Sequence, residues 1–342
     1  YTDCKQCGRT YIIAEMSGNH GGQLEKALEI VQAAAEAGAD CLKTQTYTAD
    51  TLTLNCNRDE FVVKGGLWNG EKLYDLYSEG YTPWEWMPII KKKCDDLGLD
   101  FMSSPFDRSA VDYLEQMGCQ YYKIASPELV DIPLIEYVAK TGKTMFISTG
   151  MAIKSEIEDA IATVGAEKVK DVVLLKCCSQ YPTDYNNMNL LAIKSLQEYF
   201  SCTIGLSDHS FGYLGAVIAV TLGAKVIEKH ICMSRQDDVV DSKFSMEPDE
   251  FKEMVSKVHD AEKALGNGKI EPSQGERRGI KNRRSLYIVK DIKAGDVLTG
   301  ENIRSVRPGL GIIPKYYKEL LGKRILCDAV FGTPLSWDMV ER

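Results

Sequence analysis

Histidine is scarce in this chain, with four in 342 residues. Long apolar runs are missing: none approaches the roughly 20 consecutive residues that a bilayer-spanning helix needs. No signal peptide is visible either. Positive charge is in deficit, with 41 Lys and Arg against 49 Asp and Glu, for a net charge of −8. That balance argues against general binding to nucleic acid or to a membrane surface. It does not exclude an anionic substrate, because a few lysines can dominate a cleft. A second Cys-x-x-Cys to complete a zinc site with Cys4 and Cys7 is absent, so a frayed amino terminus with two free thiols is expected. Cysteine itself is not scarce. Of eleven, Cys41, Cys94, Cys177, Cys178, Cys202 and Cys232 fall inside expected strands or helices. A large chain without a signal is expected to be cytoplasmic, with its thiols reduced.

What is present is a rhythm. Eight short apolar runs punctuate the first 231 residues: YIIAE (11–15), CLKTQ (41–45), DFMSSP (100–105), YYKIAS (121–126), TMFISTG (144–150), VVLLKCCS (172–179), CTIGLSD (202–208) and VIEKHI (226–231). A longer helix-like stretch follows each, which is the pattern of a (β/α)8 barrel with parallel pairing and right-handed crossovers. A barrel takes about 250 residues, which leaves room for a small second domain. The hydrophobic fraction of 44% and charged fraction of 26% are those of a soluble globular chain.

The first helix reads most clearly. LEKALEIVQAAAEAGA (24–39) puts Leu24, Ala27, Leu28, Val31, Ala34 and Ala35 on one face, with Gly38 as a stop. The stretch after the second strand, 46–82, is too long for an ordinary connection. It is rich in aromatics (Tyr47, Trp68, Tyr74, Tyr77, Tyr81), so an ordered lid over a substrate is expected. After residue 266 the texture changes. Residues 267–284 read as a basic, glycine-containing linker, and 285–342 as a small β-rich domain. In that domain IKAGDVLTGENI and AVFGTPLSWDMV look like two copies of one turn-containing unit.

Chemistry in such a barrel sits at the carboxyl ends of the strands. Those ends carry Glu15, Lys43, Gln45, Ser104, Lys123, Ser126, Ser148, Ser207, His209, Glu228 and His230. Strand alternation puts Glu228 and His230 on one face, and Ser207 and His209 on one face. If both faces point inward, two imidazoles and a carboxylate converge, which suits a divalent metal with open positions. Asp241 follows in the next loop and could complete the site or handle a proton. Lys43 and Lys123 with the neighbouring hydroxyls suit a phosphate and a carboxylate. A Schiff-base lysine is the competing reading. Lys176 and Lys229 read equally as pocket charges or outward-facing groups. SGNHGG (17–22) is a weak glycine-rich signal, and Asn19 could cap the first helix.

The ordered segments IIAEMSGNHGG, LKTQTY, SSPF, YKIASPE, ISTGM, GLSDHS and IEKH together resemble the sialic acid synthase family. The tail resembles that family's antifreeze-like (SAF) domain, with RPGLGI (307–312) as its loop. The resemblance covers essentially the whole chain. It implies an α/β fold, a TIM barrel (1–266) followed by the SAF domain (285–342), and condensation of phosphoenolpyruvate with an acetamido sugar. It also implies a divalent metal held by His209 and His230, usually Mn2+, with Mg2+ or Co2+ as alternatives. Lys43, Lys123, Ser126, Ser148 and Ser207 would hold phosphoenolpyruvate, with Gln45 and Ser104 beside them. Glu15, Glu128, Tyr181, Glu228 and Asp241 would address the sugar, the water or the metal. Arg307 would reach the neighbouring subunit's site in a domain-swapped homodimer. GLWNGEKLYDLYSEGYTPWEW and VVDSKFSMEP are similar to the pseudaminic acid branch. Ser179 replaces an asparagine typical of the N-acetylneuraminate branch, which favours 2,4-diacetamido-2,4,6-trideoxy-L-altrose as the sugar.

Three rivals stand beside that expectation: an N-acetylneuraminate or legionaminate synthase, a Schiff-base aldolase, and a non-catalytic carbohydrate-binding barrel.

Overall fold

Alternate residues along each strand of this chain belong to two different cores, and that parity builds the molecule. The computed structural model describes residues 1–166, 168–237 and 239–342. It separates into two compact units, Tyr1–Gly266 and Asn267–Arg342. In the first, eight strands close into a barrel: β1 (Tyr11–Glu15), β2 (Cys41–Thr46), β3 (Asp100–Pro105), β4 (Tyr121–Ile124), β5 (Thr144–Ser148), β6 (Val172–Cys177), β7 (Thr203–Asp208) and β8 (Val226–His230). Every neighbouring pair is parallel, and β8 returns to β1 with Tyr11 opposite Val226 and Glu15 opposite His230. The expected barrel is present.

Side chains of one parity, such as Ile12, Leu42, Tyr122, Ile147, Leu174 and Ile227, face the surrounding helices. Those of the other parity fill the interior. Tyr11, Ile13, Cys41, Met102, Phe146, Val173, Leu175 and Val226 form a separate apolar cluster there. Further along the same strands, the inward positions become Glu15, Lys43, Lys123, Ser207 and Glu228. The interior therefore grades from a dry base to an ionic mouth. The wall is close at Gly205: a Cβ there would lie 2.5 Å from the Val226 carbonyl oxygen and 2.6 Å from Leu175. No other residue fits without moving the barrel wall.

The helix after β1 runs Leu24–Glu36, shorter than expected, and Gly38 takes the positive φ of 88° that ends it. Ile30 and Ala33 join its buried face. Asn19 does not cap this helix. Its side-chain amide donates to the Ile231 carbonyl and to Ser245 Oγ, both at 2.8 Å, so it ties the loop after β1 to the segment after β8. The amino terminus is not frayed. Thr2–Cys7 is helical, and Cys4 is buried, with Arg9 Nη2 donating to its sulfur at 2.8 Å. Among the described residues, no helix is long and apolar enough to cross a membrane.

The connection 46–82 is ordered. It carries short helices at Ala49–Leu52 and Leu73–Gly80 and a bridge between Val62 and Lys72. In the second unit, β9 (Ser285–Ile288) pairs antiparallel with β10 (Ile303–Val306). The two turn-containing segments are structural copies. Gly295 and Gly332 both adopt positive φ, at 93° and 88°, and their leading residues Ile292 and Ala329 bridge each other. Leu286, Ile288, Leu298, Ile303, Ile325 and Leu335 form the unit's own core. Residues 267–284 group with this unit and hold a short helix at Gln274–Arg277.

Candidate active site

The carboxyl ends of the barrel strands open into a cavity of about 450 Å³. At its floor Glu228 Oε1 accepts three hydrogen bonds, from Lys43 Nζ (3.0 Å), Lys123 Nζ (2.9 Å) and Ser207 Oγ (3.1 Å). Lys123 also reaches Oε2 at 3.0 Å. Lys43 is 3.3 Å from Glu15 as well. These groups come from β1, β2, β4, β7 and β8, and all are inward by parity. Burial alone would raise the Glu228 carboxyl, but the two ammonium groups hold it well below the usual carboxylate range. Two lysines facing two carboxylates balance in charge. Breaking such a buried set by removing one partner typically costs about 3–5 kcal/mol.

A hydrogen-bond chain climbs one wall. Gln45 Nε2 donates to Glu15 Oε1 (2.7 Å) and to Ser17 Oγ (2.9 Å), and Ser17 Oγ donates to Asp241. Ser17 is a non-glycine residue at φ 47°. That backbone strain costs of order 1–3 kcal/mol and gathers at functional positions. Burial raises both Glu15 and Asp241.

On the opposite wall Glu128 follows β4 and projects an oxygen, Oε2, that is buried and has no partner. Burial pushes this carboxyl up to about 7, and nearby Asp131 adds to the rise. Ser104 Oγ, Ser148 Oγ and His230 Nδ1 are likewise buried without partners. Unsatisfied polar atoms are uncommon in native interiors. Several around one cavity mark the place of a polar ligand.

The raised Glu128 has a testable consequence. Its folded pKa lies above the ordinary carboxyl value of 4.5, so the protonated form is favoured in the fold. The ionisation penalty is absent below about pH 4.5 and grows as pH rises through about 7, by up to about 3 kcal/mol. Glu128→Gln is therefore expected to raise the melting temperature near pH 8 and to change it little near pH 5. Equal shifts at both pH values would contradict the assignment.

His209 and His230 sit at the ends of β7 and β8 with ring centroids 5.3 Å apart. Tyr181 packs on His209 at 4.3 Å, and Phe244 lies 4.9 Å from His230. His209 Nδ1 donates to the Cys178 carbonyl at 3.0 Å, which leaves the lone pair on Nε2. Burial lowers the His230 imidazole and favours its neutral form, whereas at His209 the effect of burial is outweighed by the Cys177 interaction, which raises that imidazole. Among the described residues, no group of three or more His, Cys, Asp or Glu is placed to hold a metal. The two imidazoles are still free to offer one nitrogen each: His230 Nδ1 is buried without a partner, and His209 uses Nδ1 on the Cys178 carbonyl.

Glu15, Lys43, Gln45, Ser104, Lys123, Ser126, Glu128, Ser148, Tyr181, Ser207, His209, Glu228, His230 and Asp241 all line this cavity. Ser179 does not. It lies beyond the end of β6, with its hydroxyl 4.0 Å from Cys177 Sγ. Arg307 follows β10 in the second unit and is exposed. Lys229 faces outward, buried against Asp208 Oδ2 at 2.7 Å and the Ser210 carbonyl at 2.5 Å. Lys176 shares the outward parity and bonds its neighbour's carbonyl. Ser17 and Cys177 were missed as lining residues: Cys177 continues the inward parity of β6, whereas Ser17 lies past the end of β1 at φ 47°, where parity gives no direction. Leu52, Val63, Leu73 and Leu76 also line the cavity, and nothing in their local pattern distinguishes them from core residues.

Comparison with known proteins agrees with this geometry. The NeuB family model matches residues 30–270, and the SAF domain model matches residues 283–341. A pseudaminic acid synthase of Campylobacter jejuni subsp. jejuni serotype O:23/36 is 46% identical over 331 residues, 96% of each chain. The pseudaminic acid synthase of Helicobacter pylori is 43% identical over 333 residues, 97% of this chain and 98% of that one. Among solved structures, an N-acetylneuraminic acid synthetase from Leptospira borgpetersenii aligns with a TM-score of 0.71 at 32% identity, covering 80% of this chain and 90% of that one. The chain therefore belongs to the NeuB family, the sialic acid synthases that its strand-end motifs resemble.

Proposed function

We propose that this chain is a pseudaminic acid synthase, joining phosphoenolpyruvate to 2,4-diacetamido-2,4,6-trideoxy-L-altrose with release of phosphate. The observation that carries the reading is the cavity floor. Two buried lysines and a ring of hydroxyls meet there beside two imidazoles, in a chain 46% identical to an enzyme of that name.

In this reading Lys43 and Lys123 hold the carboxylate and phosphate of phosphoenolpyruvate, with Ser104, Ser126, Ser148 and Ser207 filling the remaining acceptors. Glu228 keeps the two ammonium groups charged and aimed. Glu15, Gln45, Tyr181 and Asp241 orient the open-chain sugar. A divalent metal on His209 and His230, preferably Mn2+, would supply a Lewis acid toward the sugar carbonyl. C3 of phosphoenolpyruvate attacks C1 of the aldehyde, and the developing alkoxide takes a proton. Water adds at C2 and loses a proton, and the resulting hemiketal phosphate breaks its C2–O bond to release phosphate and the 2-keto acid. Glu128, held near neutral, is suited to carry a proton in this sequence at pH about 7. The acting species is a homodimer in which Arg307 of one subunit completes the site of the other. Its setting is the cytoplasm, which suits eleven free thiols.

The test is mass spectrometry of products from phosphoenolpyruvate and a panel of acetamido sugars. The phosphoenolpyruvate carries ¹⁸O at the bridging C2–O position. The expected product is pseudaminic acid, with the label leaving in phosphate. Label kept in the sugar acid would overturn C–O cleavage. Turnover of N-acetylmannosamine or of the legionaminate precursor instead would move the chain to another branch. Pyruvate uptake with borohydride trapping of Lys123 would make it an aldolase.

A further inference from the structure

We infer that the connection 46–82 is the specificity element of this cavity: its aliphatic side chains roof the sugar's far end and select a terminal methyl over a terminal hydroxyl. The inference rests on the functional reading above and names the feature of the sugar that the roof recognises.

The cavity is lined by two chemically different sets of side chains. Its floor is ionic and hydroxyl-rich. Leu52, Val63, Leu73 and Leu76, with Trp68 and Tyr77, also line the cavity, all from this one connection. The four aliphatic side chains offer neither donor nor acceptor. A hydroxyl set against them gives up its water without a new partner, whereas a methyl is favoured there.

This roof is tied down rather than loosely draped. Val63 N donates to the Glu71 carbonyl (2.9 Å) and Gly70 N to the Val63 carbonyl (2.9 Å), closing a hairpin. Trp68 Nε1 donates to the Val240 carbonyl at 3.1 Å, fixing the hairpin to the segment after β8. At the other end, His20 Nε2 pairs with Thr82 Oγ1 at 3.0 Å, and Trp84 Nε1 donates to the Tyr47 carbonyl at 3.1 Å. Backbone meets backbone where Gly18 faces Gly80: a Cβ on Gly18 would lie 3.1 Å from Gly80 Cα. A preformed apolar wall of this kind discriminates by shape and desolvation without first having to order itself.

Orientation follows from the chemistry at the floor. The sugar must present C1 to C3 of phosphoenolpyruvate, which the lysines hold. Its carbon chain then runs away from the floor, and C6 arrives at the roof. A 6-deoxy sugar places a methyl there, and a 6-hydroxy sugar places an unpaired hydroxyl.

The experiment compares 2,4-diacetamido-2,4,6-trideoxyhexose with its 6-hydroxy counterpart as substrates for the full chain. The unaltered enzyme is expected to favour the deoxy sugar by roughly 10- to 100-fold in kcat/KM. Val63→Thr, which keeps the side chain's shape, and Leu76→Asn are each expected to shrink that ratio by about tenfold, with the KM for phosphoenolpyruvate held within about twofold. No preference in the unaltered enzyme would overturn the inference. So would an unchanged ratio in either variant while phosphoenolpyruvate kinetics stay intact. If product analysis shows a different parent sugar, the functional reading falls by itself. The roof is then judged by the same ratio on the 6-deoxy and 6-hydroxy forms of that sugar.

Discussion

Exhaustive chelation is expected to stop phosphate release, and added Mn2+ to restore it. The argument starts from scarcity. A chain with four histidines sets two of them on adjacent strand ends, 5.3 Å apart, within one cavity. His209 is held in one tautomer by the Cys178 carbonyl, and His230 keeps a buried nitrogen without a partner. Two hydrogen-bonded structural histidines would leave no such atom. His209→Ala or His230→Ala is expected to lower kcat by at least about 10²-fold, the scale of a lost Lewis acid worth several kcal/mol. Metal content by elemental analysis should fall in both variants, while thermal melts stay close to the parent. Full turnover after chelation, with no metal detected, would remove the ion from the mechanism.

Mixing two inactive chains is expected to restore activity. Arg307→Ala alone and His209→Ala alone should each lose most turnover. After subunit exchange, half of the dimers are mixed, and in each mixed dimer one site joins an intact barrel to an intact arginine. Recovery of roughly a quarter of the parent rate follows if the arginine acts across the two-fold axis. The loop that carries Arg307 is firmly held. Ser285 Oγ donates to the Pro308 carbonyl (2.7 Å) and accepts from Gly311 N (2.9 Å), and Gly309 N donates to the Lys281 carbonyl (2.7 Å). An exposed guanidinium, with its fork of donors, suits a planar acceptor such as a carboxylate or an acetamido carbonyl. Failure to complement, after exchange has been demonstrated, would place the arginine outside the partner's site.

Much of the site was legible because strand parity is a strict rule. Glu228 and His230 share a face, so both had to enter the cavity if either did. The same rule excludes Lys229, whose place against Asp208 could have been read from its neighbours alone. It would equally have admitted Cys177. The rule fails where strands stop. Ser179 lies two residues past β6, where no periodicity constrains direction, and it does not line the cavity. Asn19 looked like a helix cap because caps are local and common. Its actual partners, Ile231 and Ser245, are more than 200 residues away, and no local pattern encodes them. The roof was visible as length and aromatic content, but not as an inventory of the aliphatic side chains that face the cavity.

The parity of β8 has a consequence for how such a chain can change over generations. Deleting Ile227 from Val226–His230 would rotate the outward lysine into the ionic floor and swing Glu228 and His230 toward the helices. No compensating substitution elsewhere could undo an exchange of that kind. The barrel's catalytic end is in effect written in a fixed reading frame, open to point replacement and closed to insertion. Lineages that acquire new sugars are expected to keep the eight strand lengths constant and to vary the span between β2 and β3, where added residues disturb no register.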